Sequence, residues 1–127
     1  MNKELTELIV LHAEYVESEG TKGIQLTTER LFSIELDISN DLRGANLQGA
    51  DLQGADLRWA NLQEANLTEA NLFRAGLYKA NLKEASLQGA DLTDAYLYRA
   101  NFYEANCQGA TMSDDQIYYI LKKGGIV

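Results

Sequence analysis

A chain of 127 residues, 46% apolar and 24% charged, is long enough for one folded domain and too apolar to be disordered throughout. A net charge of -8 argues against a general nucleic-acid-binding surface or attraction to an anionic membrane, and one cysteine excludes an internal disulfide.

Met1 to Glu7 carries two acids and one Lys with no uninterrupted apolar stretch. This predicts neither a secretory signal nor a membrane span, and a cytoplasmic chain is the expectation. Within residues 1–20, Leu5, Leu8, Ile9, His12, Tyr15 and Val16 follow the i, i+3, i+4, i+7 spacing of an amphipathic helix, and Gly20 closes it. The opposite face carries Glu4, Glu7, Glu14 and Glu17, so the segment reads as an N-terminal capping helix. His12 falls on the apolar face, where packing or a hydrogen bond accounts for it better than chemistry does. In residues 21–40 a five-residue period begins faintly at Leu26, Leu31 and Leu36, and the next centre, Leu42, comes six residues later. One inserted residue predicts a bulge near Ser39 in a degenerate first coil.

From Asp41 onward the period is strict. Apolar centres stand at every fifth position from Leu42 to Leu97, then at Phe102, Cys107 and Met112, and Ala precedes each by two residues from Ala45 to Ala110. On a helix five residues advance ~500°, which fans the leucines around the whole circumference. On a flat strand an odd step sends alternate leucines to opposite faces. Within one pentad, however, Ala and Leu are two apart and point inward while the intervening Asn or Asp points outward. Polar residues or Gly fill the remaining two places, as in Gln48-Gly49 and Gln53-Gly54, and suit a turn. Three extended residues and a right-angled corner wind the chain, so four pentads close a coil and side chains twenty apart are superimposed.

Ala45-Asn46-Leu47-Gln48-Gly49 and most units after it match A(N/D)LXX, and residues 41–113 therefore resemble the pentapeptide-repeat family. The resemblance implies an all-β solenoid, a right-handed quadrilateral β-helix. The leading His12…Tyr15…Ser18…Gly20 stretch is similar to entry segments of some family members. Gly76, Ser86, Tyr96 and Thr111 depart from the Asn or Asp of the pattern.

In residues 114–127, Ser113 with Gln116 predicts a capping box, Asp114 and Asp115 sit in the first turn, Lys122 and Lys123 in the last, and Gly124 ends the helix. Ile117, Ile120 and Leu121 are expected over the final coil, with Tyr118 and Tyr119 at the flanks. A monomer is expected, or a weak homodimer through the C-terminal end, where Tyr118, Tyr119, Ile126 and Val127 lie.

No residue pattern points to catalysis, a cofactor or a metal: there is one His, one Cys, and neither a Gly-rich phosphate loop nor a metal-spaced cluster. Cys107 shares a column with Leu47, Leu67 and Leu87 and reads as a core filler. Asp41, Asn61, Asn81 and Asn101 share a face and suit ladder hydrogen bonding. Two outward columns are candidates for function. Glu64, Glu84 and Glu104 form an acidic column, either a solvated edge or a site for a basic partner or cation. Arg58, Trp59, Tyr78, Lys79, Tyr96, Tyr98 and Arg99, with Phe73 and Arg74 on the approaching corner, have the composition of an interaction face. The bland alternative is a stabilising ladder, Tyr78 on Tyr98 and Lys79 over Trp59.

The expected function is a non-catalytic scaffold for an unidentified protein partner. The alternative is DNA mimicry of the kind the resemblance to gyrase-inhibiting family members suggests. Residues 1–40 hold eight acids and three bases, residues 41–112 nine and six, so most of the acidity lies off the repeats. A stack of about 20 Å matches only ~6 base pairs, and mimicry needs a long negative face.

Overall fold

A computed structural model describes residues 41–127. The readings made for residues 1–40, the first helix with His12 and the degenerate coil with its bulge, lie outside the described residues.

Each pentad contributes a single bridging residue, and every bridge is parallel and joins residues twenty apart: Asp41 to Asn61, Asn46 to Asn66, Asp51 to Asn71, Asp56 to Gly76, and so on up the stack. Four pentads make one coil, and the coil has four faces. The first carries Asp41, Asn61, Asn81 and Asn101; the second Asn46, Asn66, Ser86 and Asn106; the third Asp51, Asn71, Asp91 and Thr111; the fourth Asp56, Gly76 and Tyr96. The centres superimpose on the axis, and Leu62, Leu67, Leu72, Leu77, Leu82 and Leu87 are all 0% exposed, with the alanines packed beside them.

A unit as short as five residues holds its shape because every backbone N–H in it finds an acceptor. In the pentad that starts at Ala65, Ala65 donates to Leu62 across the corner, Asn66 to Ala45 one coil below, and Leu67 and Glu69 to Ser86 and Gln88 one coil above. The fifth, Thr68, donates to the side-chain Oδ1 of Asn66 at 3.1 Å. This is the physical reason for Asn or Asp between Ala and Leu: an Asx turn satisfies the one amide that neither neighbouring coil can reach. The side-chain amides also bond up the stack, Asn81 to Asn61 at 3.3 Å and Asn101 to Asn81 at 3.2 Å.

Each corner is closed by a bond of 2.9–3.1 Å from the Ala N–H to the preceding Leu carbonyl, such as Ala60 to Leu57 at 3.1 Å and Ala75 to Leu72 at 2.9 Å. Its second turn residue has positive φ, which defines a type II turn. That place is glycine at Gly44, Gly49, Gly54, Gly89 and Gly109, yet Trp59, Glu64, Glu69, Arg74, Lys79, Glu84, Asp94, Arg99 and Glu104 occupy it too, at φ between 55° and 64°.

Helix α1, Asp114–Lys122, caps the last coil. Ser113 is its N-cap and Gln116 completes the capping box. The helix and its exit span the length of two pentads, so that Ile126 returns in register on the second face: it bridges Asn106, donates to Ala105 at 2.8 Å and accepts from Cys107 at 2.7 Å. The rotation of α1 differs from the sequence expectation. Ile120 is fully buried and Tyr119 packs against the core, whereas Leu121 is 54% exposed. The reason is a polar anchor. Gln116 Nε2 donates to the carbonyls of Leu92 at 2.7 Å and Ala95 at 3.1 Å, which turns residues three and four further on toward the coil. No helix among the described residues is long and apolar enough to cross a membrane.

Candidate functional site on the fourth face

The fourth face breaks the rule that satisfies the pentad backbone. Gly76 and Tyr96 stand where Asn or Asp closes the Asx turn on the other faces, and neither offers a side-chain acceptor to the amide two residues on. Gly76 itself lies against the Asp56–Arg58 pair of the coil below. A Cβ at Gly76 would come 3.5 Å from Cγ of Arg58 and 3.8 Å from Oδ1 of Asp56, in ordinary contact.

Four rings meet here. Tyr78 stacks on Tyr98 at 6.1 Å and on Tyr96 at 6.2 Å between centroids, and takes Trp59 edge-on at 5.7 Å. Tyr96 and Tyr98 lie 6.4 Å apart, tilted by 42°. Columns twenty residues apart place Tyr78 under Tyr98, and Trp59, Lys79 and Arg99 at successive levels of the next corner position. Lys79 Nζ sits 4.0 Å above the Trp59 ring and 5.3 Å from that of Tyr78. The guanidinium of Arg99 lies 5.5 Å from the Tyr98 ring. A hydrogen bond to Tyr98, then the nearby Tyr98 and Tyr78 hydroxyls, hold Arg99 above its ordinary pKa. Both contacts of the ladder reading, Tyr78 on Tyr98 and Lys79 over Trp59, are therefore present. Three of the rings nonetheless keep half their surface in water, Trp59 being 51%, Tyr96 57% and Tyr98 53% exposed, while Tyr78 between them is more covered.

Arg58 belongs to the same column as Tyr78 and Tyr98 and is bound to Asp56 through Nε at 2.7 Å and Nη2 at 2.7 Å. This pair holds the Asp56 carboxyl below the usual range. Phe73 and Arg74 sit one corner away, at the junction of the third and fourth faces. Arg74 lies 4.9 Å from the Phe73 ring and 3.7 Å from Asp94, and the four-ring cluster does not include Phe73.

Glu64, Glu84 and Glu104 superimpose at the corner between the first and second faces, all exposed. Glu64 accepts from Gln63 at 3.1 Å and Glu84 pairs with Lys83 at 3.2 Å. The neutral Asn ladder of the first face separates this acidic column from the basic and aromatic corner.

Two residues that the sequence reading placed elsewhere adjoin the cluster. Tyr119 of α1 reaches back to donate its hydroxyl to Ala100 at 3.4 Å, and burial raises its pKa, with Tyr98 close by. Lys123 Nζ lies 5.6 Å from the Tyr119 ring. The available signal was arithmetic: Tyr119 stands twenty residues after Arg99. Among the described residues no group of His, Cys, Asp and Glu could hold a metal ion. Cys107 is fully buried.

Comparison with known proteins follows the repeats. The family described as pentapeptide repeats matches residues 41–77 and 80–114, in eight copies. Among solved structures the chain is similar to HetL, a pentapeptide repeat protein involved in heterocyst differentiation regulation from the cyanobacterium Nostoc sp. strain PCC 7120. The identity is 43% over 68% of this chain and 35% of that one, with a TM-score of 0.55. It is also similar to a pentapeptide repeat protein of the Arabidopsis thaliana thylakoid lumen, 31% identical over 68% and 78% of the two chains, TM-score 0.38. A third, Rfr23 from the cyanobacterium Cyanothece 51142, is 31% identical over 59% and 51%, TM-score 0.37. This chain thus spans about a third of the length of HetL. No curated protein matches it.

Proposed function

Because the chain belongs to the pentapeptide repeat family, a family of β-helical and generally non-catalytic scaffolds, we propose that it is a non-catalytic interaction module whose fourth face binds a protein partner. The observation that carries this reading is the cluster of Trp59, Tyr96 and Tyr98, each about half-exposed, around the more covered Tyr78. Stacking alone needs ring faces on each other. It does not need Trp59, Tyr96 and Tyr98 each to keep about half its surface in water. Rigid aromatic rings interleaved with Arg and Lys have the composition of interface centres.

DNA mimicry finds less support. The acidic column is three residues long, one of its carboxylates is paired with Lys83, and a basic corner lies one face away.

The test is the triple variant Trp59→Ala/Tyr78→Ala/Tyr98→Ala against wild type, as bait for extract of the source cell, with each captured protein then purified and its affinity measured. A partner lost by a variant that keeps its far-ultraviolet spectrum supports the reading. A variant that melts earlier but holds the same partners with the same affinity means that the rings only stack on one another.

A further inference from the structure

Among the described residues the cations fall into two groups. Arg43, Arg58, Arg74 and Lys83 each have a carboxylate oxygen within 2.6–3.7 Å. Lys79, Arg99, Lys122 and Lys123 have none within 4.0 Å. Lys79 and Arg99 share one column, and Lys123 joins it through Tyr119. Lys79 lies over Trp59, Arg99 over Tyr98 and Lys123 over Tyr119, each at 4.0–5.6 Å from a ring centroid. The line continues past the last coil because Tyr119, twenty residues after Arg99, is tied to Ala100. The repeat corner and the cap helix thus build one stripe, about 15 Å long at ~4.8 Å per level.

An aromatic ring partly neutralises a cation without removing its need for an anion. Three such charges in a chain of net charge -8, with no carboxylate of the described residues answering them, form a local field opposite to that of the molecule. Such a field selects a short anionic segment. A segment laid along the stripe avoids the parallel column of Glu64, Glu84 and Glu104 one face away, whereas an anion laid across the first face would meet it.

We propose that the stripe of Lys79, Arg99 and Lys123, with Trp59, Tyr98 and Tyr119 beside them, docks an acidic, apolar-containing segment of a partner protein. Carboxylates would meet the three cations and apolar side chains the rings. This rests on the reading of the fourth face as a contact surface, extends it onto α1, and names the chemistry of the occupant.

The probe is a fluorescein-labelled six-residue peptide, Glu-Glu-Leu-Glu-Glu-Leu, about 20 Å long when extended, followed by anisotropy with the whole chain and by the emission of Trp59, the chain's one tryptophan. Saturable binding is expected, with a shift in Trp59 emission. Charge reversal at Lys79→Glu/Arg99→Glu is expected to weaken binding at least tenfold, and Lys123→Glu severalfold, since each reversal sets like charges against the peptide's carboxylates. The reversals are compatible with the fold, because Glu64, Glu84 and Glu104 already occupy this corner position at φ 57–59°. No saturable binding overturns the proposal, as does equal affinity for a peptide with Gln in place of Glu, or indifference to the reversals. Equal affinity for a thymidine oligonucleotide of the same charge also overturns it, since the stripe would then read charge alone. The two readings fail separately. If the acidic peptide does not bind but the aromatic triple variant still loses its partner, only the occupant's chemistry is wrong. A charge-dependent peptide affinity together with a triple variant that keeps every partner would retain the stripe and remove the ring cluster.

Discussion

Gln116 stands twenty residues after Tyr96, and its side-chain Nε2 donates to the Ala95 carbonyl at 3.1 Å, the bond that the backbone N–H of a further pentad would make. One coil below, Tyr96 donates its own N–H to Ala75 at 2.9 Å. The same amide group accepts the Ser113 N–H through Oε1 at 2.9 Å. A single side chain therefore ends the fourth face and starts α1.

Substitution at this position separates the two roles. Gln116→Ala loses both and leaves the Ala95 carbonyl without its partner, a cost of about 2 kcal/mol. Gln116→Glu keeps the capping-box acceptor and gains about 0.5 kcal/mol from a negative charge in the first helical turn. It also aims a carboxylate at two carbonyls, and loss of the donor with that repulsion outweighs the gain. Urea denaturation at pH 7 is expected to rank wild type above both variants. At pH 4 the gap for Gln116→Glu narrows, because the protonated acid donates again. A Glu variant as stable as wild type at pH 7 would show that the lost donor and the repulsion together cost no more than the about 0.5 kcal/mol gained at the helix start.

The columns were legible because a period of five fits neither helix nor flat strand, so Leu62 and Leu82, or Tyr78 and Tyr98, had to superimpose through a coil of four pentads. The setting of α1 was not legible. Its apolar residues alone point to Ile117, Ile120 and Leu121, and the polar anchor at Gln116 rotates the helix to bury Tyr119 and expose Leu121. Of the candidate face, the twenty-residue spacing located Tyr78, Tyr98, Lys79 and Trp59. It does not carry across the change from coil to helix, where the pattern alone puts Tyr119 at the flank of the last helix and Lys123 in its last turn. Positive φ at Trp59 or Glu69 also left no mark in the sequence, since only the glycine corners advertise it.

The corners give a prediction of opposite signs at two sites. Gly54 has φ 65° and open space where a Cβ would go, so Gly54→Ala isolates the cost of placing a side chain in that conformation, about 1 kcal/mol. Glu69 occupies the equivalent place at φ 58°, and Glu69→Gly relieves the same strain. The flexible unfolded chain offsets part of that gain, leaving a few tenths of a kcal/mol or more in favour of the variant. Denaturation midpoints in urea read both; a destabilised Glu69→Gly would mean that the Glu69 side chain contributes more than its backbone costs.

Gly125 is required for a different reason. A Cβ there would overlap Cγ2 of Ile120 and stand 3.2 Å from the Ile120 carbonyl and 3.3 Å from that of Phe102. Gly125→Ala is expected to lift α1 from the final coil and cost about 2–3 kcal/mol. Ile120→Ala removes one of the three clashing groups while opening a cavity of its own. The double variant is therefore expected to lose about 1 kcal/mol less than the two single losses combined, the coupling of neighbours in contact. Strict additivity would place the clash elsewhere.

Cys107 occupies a centre position in the column of Leu47, Leu67 and Leu87, and burial pushes its thiol up to about 12 from 9.0. A thiol is neutral when protonated, so the folded state binds this proton more tightly than the unfolded chain does. The resulting stability is complete below the unfolded value and is lost as pH rises from about 9 toward about 12, at up to ~1.4 kcal/mol per pH unit. Tyr119, also raised by burial, acts in the same direction, so wild type must be compared with Cys107→Ala at each pH. The variant costs about 1 kcal/mol at pH 7 through its smaller volume, and that deficit is expected to shrink and reverse by pH 10. In parallel, a thiol reagent at pH 8 is expected to modify wild type only as fast as the protein opens, since a neutral and fully covered thiol offers no thiolate. A deficit that stays constant from pH 7 to 10, or modification at the rate of a free cysteine peptide, would place Cys107 in contact with water.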